Sequence, residues 1–393
     1  MPRPFGGGPR AVAAAFALVK LAVQLAALPG YGYFRDELYY IACSERLAWG
    51  YVDHPPFAVA LLKAVRLALG DSLWALRVVP AFAGALLVFL AGEAAVALGG
   101  GAAAGAIACA AVLGAPVLLG MDHFWSMNAF DGLFWAASVL LFARAWRAPS
   151  PRAWAALGAA FGLGLLNKAS LLWLGAGFGV ALAASREGRR LLRTPGPYLA
   201  ALVAALPIAP HLAWQVEHGW PTLEFARNAL AEKYKAHSPL GFLLEAALML
   251  GPASAPLWLA GPLAALRRPG LGRALGVAWL TVLGVLAFSK SGKAEYLSAG
   301  FFLAASLGAV ELERALARPG RRGPSSRAVA VAAVALLGAQ LALAPLALPL
   351  LPVPRYLAYA AALGIEPSTS ENKELGALPQ FFADMHGWPE QVA

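Results

Sequence analysis

Residues 31–56 read YGYFRDELYYIACSERLAWGYVDHPP and combine many ionisable and aromatic side chains in one short stretch. The stretch follows the first apolar run of the chain, holds the pair Asp36-Glu37 among tyrosines, and ends on Asp53-His54-Pro55-Pro56. Polar groups concentrated beside an apolar run are typical of a site at a membrane surface, because burying them in lipid is costly. We therefore predict that this stretch is the reactive loop of a membrane enzyme.

The composition is that of a polytopic, all-α membrane protein. Of 393 residues, 60% are hydrophobic and 13% are charged, with a mean hydropathy of +0.64, whereas soluble domains are about a quarter charged. Apolar runs of about 20 residues recur, each long enough to cross a bilayer core of about 30 Å. The first run, residues 11–28, shows no small-residue cleavage site, so we interpret it as a retained span rather than a signal peptide.

The apolar runs predict about eleven transmembrane helices in residues 1–351, followed by a short extracytoplasmic tail, residues 352–393. Residues 30–72 form the first extracytoplasmic loop, in which Phe57–Leu69 is amphipathic and is expected to lie along the membrane interface. The predicted spans cover about 11–29, 73–98, 102–120, a fourth ending near 146, a tight hairpin of 153–166 and 169–184, then 197–215, 240–266, 271–288, 296–315 and 328–351.

The charges indicate the orientation of these spans. The net charge is +10, but the arginines occur in short clusters at alternate connections, which is a topology signal rather than a nucleic-acid-binding stripe. We therefore expect a cytoplasmic N-terminus and place most of the acidic, histidine and tyrosine-rich patches on the outer face of an inner or plasma membrane. The two cysteines, Cys43 and Cys109, predict no disulfide framework or metal–thiolate site.

In the loop, the carboxylate of Asp36 could act as a general base, a metal ligand or a helix cap. Tyr39 and Tyr40 offer stacking surfaces and hydroxyl donors that suit a sugar or a phosphate. Asp53 and His54 precede two prolines that restrict the backbone. His54 could bind a phosphate oxygen or, with Asp53, a divalent cation, or it could be a surface partner of that aspartate.

Further candidates lie at the ends of later spans. Asp122, His123 and Asn128 occur between spans three and four, and Asp131 falls slightly inside the membrane, where an ionisable group is either functional or internally hydrogen-bonded. Lys168, at the tip of the hairpin, suits an anionic headgroup, although it could equally extend to the interface by itself. No Walker loop, dinucleotide fingerprint, HExxH or GxSxG motif occurs, which disfavours ATPase, zincin and serine-hydrolase chemistry.

Several strings in order resemble glycosyltransferase family 39, the protein mannosyltransferase and aminoarabinose transferase superfamily with the glycosyltransferase C fold. The similar strings begin with YFRDELYYIACSERLAWGYVDHPPFAVALLKAVRLALGDSLWALRVVPAFAG (33–84) and continue with MNAFDGLFWAASVLLFARAW (127–146), GLGLLNKASLLWL (162–174), PHLAWQVEHGWPTLEFARN (210–228), KSGKAEYLSAGFFLAASLGA (290–309) and LPQFFADMHGW (378–388). The sequence departs from the family at His54, where the aminoarabinose transferases carry lysine, and at Asn128, where many members carry aspartate.

The resemblance implies transfer of a sugar from a polyprenyl-phosphate donor to an unidentified extracytoplasmic acceptor at the outer face, usually with inversion. It implies that Asp36 is the base or orients the acceptor, and that Glu37 completes a catalytic acidic pair. The implied donor-binding residues are Tyr39, Tyr40, Asp53, His54, Lys168, Lys293 and Tyr296, and the candidates for acceptor binding are Asp122, His123 and Asn128. No cofactor is required for an activated lipid phosphate, although a divalent cation is possible. The alternatives are a transporter or flippase of lipid-linked sugars and a non-catalytic protein that binds the lipid carrier.

Overall fold

The computed structural model describes residues 8–28, 30–233, 238–289, 292–317, 326–367 and 376–388. Within these ranges the chain is helical and contains no strand, which confirms the predicted all-α class. The helices are α1 (Pro9–Ala27), α2 (Arg35–Glu45), α3 (Phe57–Leu69), α4 (Leu73–Ala97), α5 (Ala102–Leu113), α6 (Pro116–Met121), α7 (Met127–Arg147), α8 (Pro151–Asn167), α9 (Leu171–Ala184), α10 (Arg186–Leu192), α11 (Gly196–Glu217), α12 (Pro221–Asn228), α13 (Pro239–Met249), α14 (Ala255–Ala265), α15 (Leu271–Phe288), α16 (Ser298–Leu316), α17 (Ser326–Ala339), α18 (Val353–Ala362) and α19 (Gln380–Ala383).

In the described part of the chain, six helices are long and apolar enough to cross a membrane, and a bent pair could supply a seventh. The predicted number of eleven is therefore not confirmed, although the chain is a multi-pass membrane protein. Two predicted spans are broken where Gly and Pro interrupt the helix. Residues 102–120 divide into α5 and α6 before Pro116, and residues 240–266 bend by 110° at Gly251-Pro252.

Helices α4, α5, α7 and α16 form the centre of the bundle, and nearly all of α5 and residues 298–310 of α16 are buried. Small residues allow close helix packing. On α14, a Cβ at Gly261 would lie 2.3 Å from the Cα of Gly308 on α16. Alanine and glycine therefore set how closely the helices approach.

Several arginines collect at one end of the bundle, which we call the arginine end. They come from four of the connections predicted to be cytoplasmic. The contacts join Arg10 with Glu93, Arg147 with the Ala97 carbonyl, Arg314 with the Leu98 carbonyl, and Arg268 with Glu311. The predicted gathering of these clusters on one side is thus present, and the side of the membrane that they face stays a prediction.

The opposite end, which we call the site end, carries the long loop between α1 and α4. As predicted, Phe57–Leu69 is an amphipathic helix, α3, whose buried face includes Val59 and Leu62. Helices α8 and α9 meet in the expected tight turn at residues 168–170 but then diverge, because α8 packs against α11 while α9 packs against α15. The described part of the tail includes α18 and α19, and α19 lies against the beginning of α2.

Candidate active site

Helix α2 begins within the reactive loop because Glu37 caps its own first turn. The backbone N–H of Phe34 donates to Glu37 Oε2 at 2.8 Å, while the N–H of Glu37 donates to the Phe34 carbonyl at 2.8 Å. This reciprocal pattern is the glutamate half of a capping box. It places Asp36 and Glu37 in the first turn, where negatively charged side chains stabilise the helix by interacting with its dipole.

Glu37 lies behind α2 in a fully buried ion pair with Arg77 of α4. Arg77 donates from Nε and Nη2 to the two carboxylate oxygens at 2.9 and 2.7 Å, and both side chains are 0% exposed. Arg77 also donates to the Gly32 carbonyl at 2.9 Å, and the Trp125 N–H donates to Glu37 at 3.3 Å. The carboxylate is therefore saturated with donors, and it fixes α2 onto α4.

His123 extends this buried cluster. Its Nε2 lies 3.2 Å from Arg77 Nη1, and because a guanidinium can only donate, Nε2 must accept and Nδ1 must carry the proton. Burial, and then the charge of Arg77, hold the pKa of His123 well below its ordinary value. The ring is thus neutral, and it acts as part of the support for Glu37.

Asp36 lies on the other side of α2, where about a third of its side chain is exposed (35%). The Nε of Arg35 is 3.3 Å from Asp36 Oδ1. The two adjacent acidic residues therefore differ sharply: Glu37 is enclosed, whereas Asp36 can be reached from outside.

The aromatic residues of the loop surround His54. Tyr40 stacks on its ring at 4.6 Å with an interplanar angle of 11°, and Tyr39 meets the ring edge-on at 5.5 Å. Tyr39 donates its hydroxyl to Asp53 Oδ1 at 2.7 Å, and burial together with this carboxylate raises the pKa of Tyr39. Asp53 is thereby oriented toward His54, with its Oδ1 3.9 Å from Nε2.

The tautomer of His54 follows from its one hydrogen bond. Nδ1 lies 3.0 Å from the Pro55 carbonyl and must donate to it, so Nε2 carries the lone pair. Nε2 is buried and has no hydrogen-bond partner among the described residues. Burial lowers the pKa of His54 below its ordinary value, although Asp53 opposes this shift. His54 is therefore neutral near pH 7 and presents an acceptor rather than a cation.

Lys168 is held at the turn between α8 and α9 by three groups, two from the beginning of α7 and one from the turn before α16. Its Nζ donates to Asn128 Oδ1 at 2.6 Å, lies 3.6 Å from Asp131 Oδ2 and sits 5.1 Å from the centre of the Tyr296 ring. Asp131 in turn accepts from Ser170 Oγ at 2.6 and 2.8 Å. Asp131 is thus an internal hydrogen-bond partner, one of the two possibilities that its position predicted.

The predicted residues from three separate segments meet at the site end. Tyr40 of α2 accepts the N–H of Met127 at 3.1 Å, and the next residue, Asn128, accepts from Lys168. Lys168 lies against Tyr296. Lys293 belongs to the same turn as Tyr296 and pairs with Glu295 at 3.7 Å, whereas Lys290 and Ser291 of this turn lie outside the described residues.

Asp122 is placed differently from the other candidates. Its carboxylate forms an ion pair with Lys20 of α1 at 2.8 Å, and the two side chains are 3% and 1% exposed. Lys20 also donates to the Leu118 carbonyl at 3.0 Å. The predicted contact of Asp122 with an acceptor stays a prediction, since the structure instead gives it a partner within the bundle.

Sequence reasoning missed two residues that hold the site together, Arg77 and Lys20. The signal was available, because both are cations inside apolar spans, where ionisable groups require a partner. The same rule singled out Asp131. What it could not provide was the identity of the partners, Glu37 and Asp122.

Among the described residues, no group of three or more His, Cys, Asp or Glu side chains could hold a metal ion. Asp53 and His54 offer two possible ligands, which are fewer than a protein metal site ordinarily needs. The residues present do not define a metal centre, and no step below is assigned to a metal.

Comparison with known proteins gives one matching family and a similar fold. The sequence profile of the family described as dolichyl-phosphate-mannose-protein mannosyltransferase matches residues 53–214. Similar crystal structures include ArnT from Cupriavidus metallidurans in the apo state and bound to undecaprenyl phosphate, each with a TM-score of 0.64. The predicted resemblance to glycosyltransferase family 39 is confirmed.

Both ArnT structures are 19% identical in sequence to this chain. Each match covers 88% of this chain, and it covers 67% of the apo ArnT chain and 68% of the chain bound to undecaprenyl phosphate. At this identity the likeness establishes the glycosyltransferase C fold. A search of curated protein sequences gave no match.

Proposed function

We propose that this protein is a glycosyltransferase that moves a sugar from a polyprenyl-phosphate donor to an extracytoplasmic acceptor, with inversion. The observation that carries the proposal is the meeting of the reactive loop, the beginning of α7 and the turn at Lys168 through Tyr40, Met127 and Asn128. It puts an accessible carboxylate and an ammonium in one connected unit. The undecaprenyl phosphate in the similar ArnT structure supports the class of donor.

In this proposal Asp36 is the general base. It accepts the proton of the acceptor hydroxyl or amine as that group attacks the anomeric carbon of the sugar, and the bond from that carbon to the phosphate oxygen breaks. The lipid phosphate leaves with the bonding electrons. Because a phosphate is already a good leaving group, the protein needs to orient the reactants and stabilise the developing charge.

We assign Lys168 to the departing phosphate, with Lys293 as a second cation. Asn128 and Asp131 hold the Lys168 ammonium in place. Tyr296 lies against this ammonium, and Tyr39 and Tyr40 provide aromatic surfaces beside His54. The neutral His54 presents only the Nε2 lone pair, because its Nδ1 proton is donated to the Pro55 carbonyl. It therefore cannot replace the positive charge of the lysine found in aminoarabinose transferases.

Glu37 receives a supporting role in the proposal, although the sequence placed it beside Asp36 in catalysis. Both of its oxygens already accept from Arg77, and it is fully buried. A carboxylate that is enclosed in this way cannot reach the proton of an acceptor. We propose that Glu37 holds α2 so that Asp36 projects toward the acceptor.

The test is Asp36→Asn in purified protein reconstituted in liposomes with radiolabelled undecaprenyl-phosphate monosaccharides and membrane extract as the source of acceptor. We expect the rate of transfer to fall by about 10²–10⁴, the usual contribution of a positioned general base. Asp71→Asn is the matched control, since Asp71 is an exposed carboxylate that pairs with Arg66 just after the end of α3.

Equal transfer by Asp36→Asn and the wild type, with equal thermal stability, would contradict the assigned base. Movement of intact labelled donor across the liposome membrane without sugar transfer would instead favour the transporter or flippase.

A further inference from the structure

Residues 376–388 of the tail pack against the beginning of α2. Tyr31 meets the ring of Phe382 at 5.3 Å and that of His386 at 4.6 Å, and Phe34 lies 5.3 Å from Phe381. Phe382 is fully buried by these contacts. Residues 376–388 are therefore docked onto the reactive loop by an aromatic cluster rather than lying apart from it.

The backbones of the tail and the loop also touch. The N–H of Arg35, in the first turn of α2, donates to the Asp384 carbonyl at 3.1 Å. First-turn N–H groups have no partner within their own helix, so the tail supplies one. At Gly32, a Cβ would lie 2.8 Å from the Met385 carbonyl oxygen, which shows how closely the two segments approach.

A charged bridge runs through this contact to the proposed base. Asp384 Oδ2 lies 3.0 Å from Arg35 Nη1, and Arg35 Nε lies 3.3 Å from Asp36 Oδ1. A guanidinium is a rigid, planar fork of donors, so fixing one of its nitrogens orients the others. Asp384 thereby sets where the Arg35 charge sits beside Asp36.

We propose that Asp384 is a positioning residue for catalysis, acting on Asp36 through Arg35, and that the tail segment 376–388 completes the active site. This inference rests on the proposed function of Asp36. Without the Asp384 carboxylate, the Arg35 guanidinium loses the contact that holds its Nη1 and turns relative to Asp36, so the Asp36 carboxylate loses its working orientation. Among the described residues, Lys168 is held by Asn128 and Asp131 rather than by this bridge, so we expect binding of the donor to be unaffected.

The test is Asp384→Asn, which keeps the backbone carbonyl that accepts from Arg35 but removes the charge. In the liposome assay we expect the rate at saturating donor to fall about 10- to 100-fold, the scale on which misplaced reacting groups slow enzymes. The donor concentration at half-maximal rate is expected to stay within about twofold of the wild type, since only interactions with the transition state are changed. Asp384→Glu, which restores the charge, is expected to recover part of the lost rate.

Glu366→Gln is the matched control, because it removes an exposed carboxylate from the same tail, and it is expected to transfer sugar at the wild-type rate. The double variant Arg35→Gln/Asp384→Asn separates positioning from other effects. If Asp384 acts through Arg35, the double variant is no slower than Arg35→Gln alone, since coupled residues are not additive.

Three results would overturn the inference while leaving Asp36 as the base: an unchanged rate in Asp384→Asn, a change only in the half-saturating donor concentration, or multiplicative effects in the double variant. Full activity of Asp36→Asn is the separate result that removes the proposed function itself.

Discussion

At the arginine end of the bundle, Arg10 pairs with Glu93 while 81% of its side chain stays exposed. At the site end, Arg77 pairs with Glu37 and Lys20 pairs with Asp122, and in both pairs the side chains are almost completely buried. Arg77 and Glu93 belong to the same helix, α4, so one helix carries both kinds of ion pair.

The difference teaches that the two ends use charge for different purposes. An exposed pair contributes little to stability, because water already solvates both groups. A buried pair contributes little when intact, but breaking it leaves an uncompensated charge in a low-dielectric interior. The buried pairs therefore act as fixed joints. Glu37–Arg77 joins α2 to α4 and holds the reactive loop, and Lys20–Asp122 joins α1 to the connection between α6 and α7.

The strongest test of this contrast is Glu37→Gln, which leaves the buried Arg77 without its counter-charge. We expect a loss of about 3–5 kcal/mol in the free energy of unfolding, measured as a lower midpoint of thermal unfolding in detergent. Glu93→Gln in the same helix is the control, and we expect its midpoint to be close to that of the wild type.

If both variants shift the midpoint equally, burial does not distinguish the two ends. A second variant, Glu37→Met/Arg77→Leu, replaces both partners. We expect it to lower the free energy of unfolding by less than Glu37→Gln alone, since no charge is left unpaired.

The partners in these buried pairs could not be predicted from the sequence, whereas other features of the fold could. The length of the apolar runs and the composition correctly predicted a helical membrane bundle, and the alternating arginine clusters predicted that one end of it is charged. The spacing of apolar residues in Phe57–Leu69 predicted the amphipathic helix α3. Local signals were present for the breaks as well, since Gly251-Pro252 bends its helix, but whether such a pair bends or ends a span depends on packing that a single sequence does not contain.

The candidate site was predictable in part for the same reason. Residues that carry recognisable chemistry, such as Asp36, His54 and Lys168, could be chosen individually. The sequence could not predict that Glu37 is enclosed while Asp36 stays accessible. This difference depends on Arg77, which is 40 positions away from Glu37 in the chain. The docking of Asp384 onto Arg35 is a contact of still longer range, and it connects a segment that composition alone describes as a separate tail.

A smaller effect is expected from Gly84→Ala, which disturbs the second buried pair without removing a charge. A Cβ at this position would lie 2.4 Å from Asp122 Oδ2 and 2.5 Å from its Cγ, so the aspartate must move away from its present contact with Lys20. Overpacking of this kind costs about 1–3 kcal/mol, and thermal unfolding in detergent measures it.

Gly105→Ala is the control in the neighbouring α5. There a Cβ meets nothing within 4 Å, and alanine favours the helix by about 0.5–1 kcal/mol over glycine. A wild-type midpoint in Gly84→Ala would show that the Lys20–Asp122 pair tolerates displacement and is not a fixed joint.

The smallest expected effect concerns the neutral histidines of the site end, His54 and His123, whose rings are 1% and 0% exposed. Burial lowers the pKa of both in the folded protein, so below about pH 6.5, the ordinary histidine value, the unfolded chain binds protons that the folded chain does not. Stability therefore falls as the pH drops from about 6.5 toward the folded pKa values, by at most about 1.4 kcal/mol per pH unit for each histidine. Above about pH 7 neither ring contributes a pH dependence, because both are neutral in the folded and the unfolded states.

Midpoints of thermal unfolding between pH 5 and 8 measure this slope, and His54→Gln is expected to make it shallower by the share of one histidine. An equal slope in His54→Gln would mean that the ring gains its proton in the folded protein as readily as in the unfolded chain. The ring would then carry a positive charge beside Asp53. That charge could pair with the donor phosphate, as is expected of the lysine that aminoarabinose transferases carry at this position. The pH slope thus decides whether charge at this position is absent, as its burial indicates, or supplied by protonation.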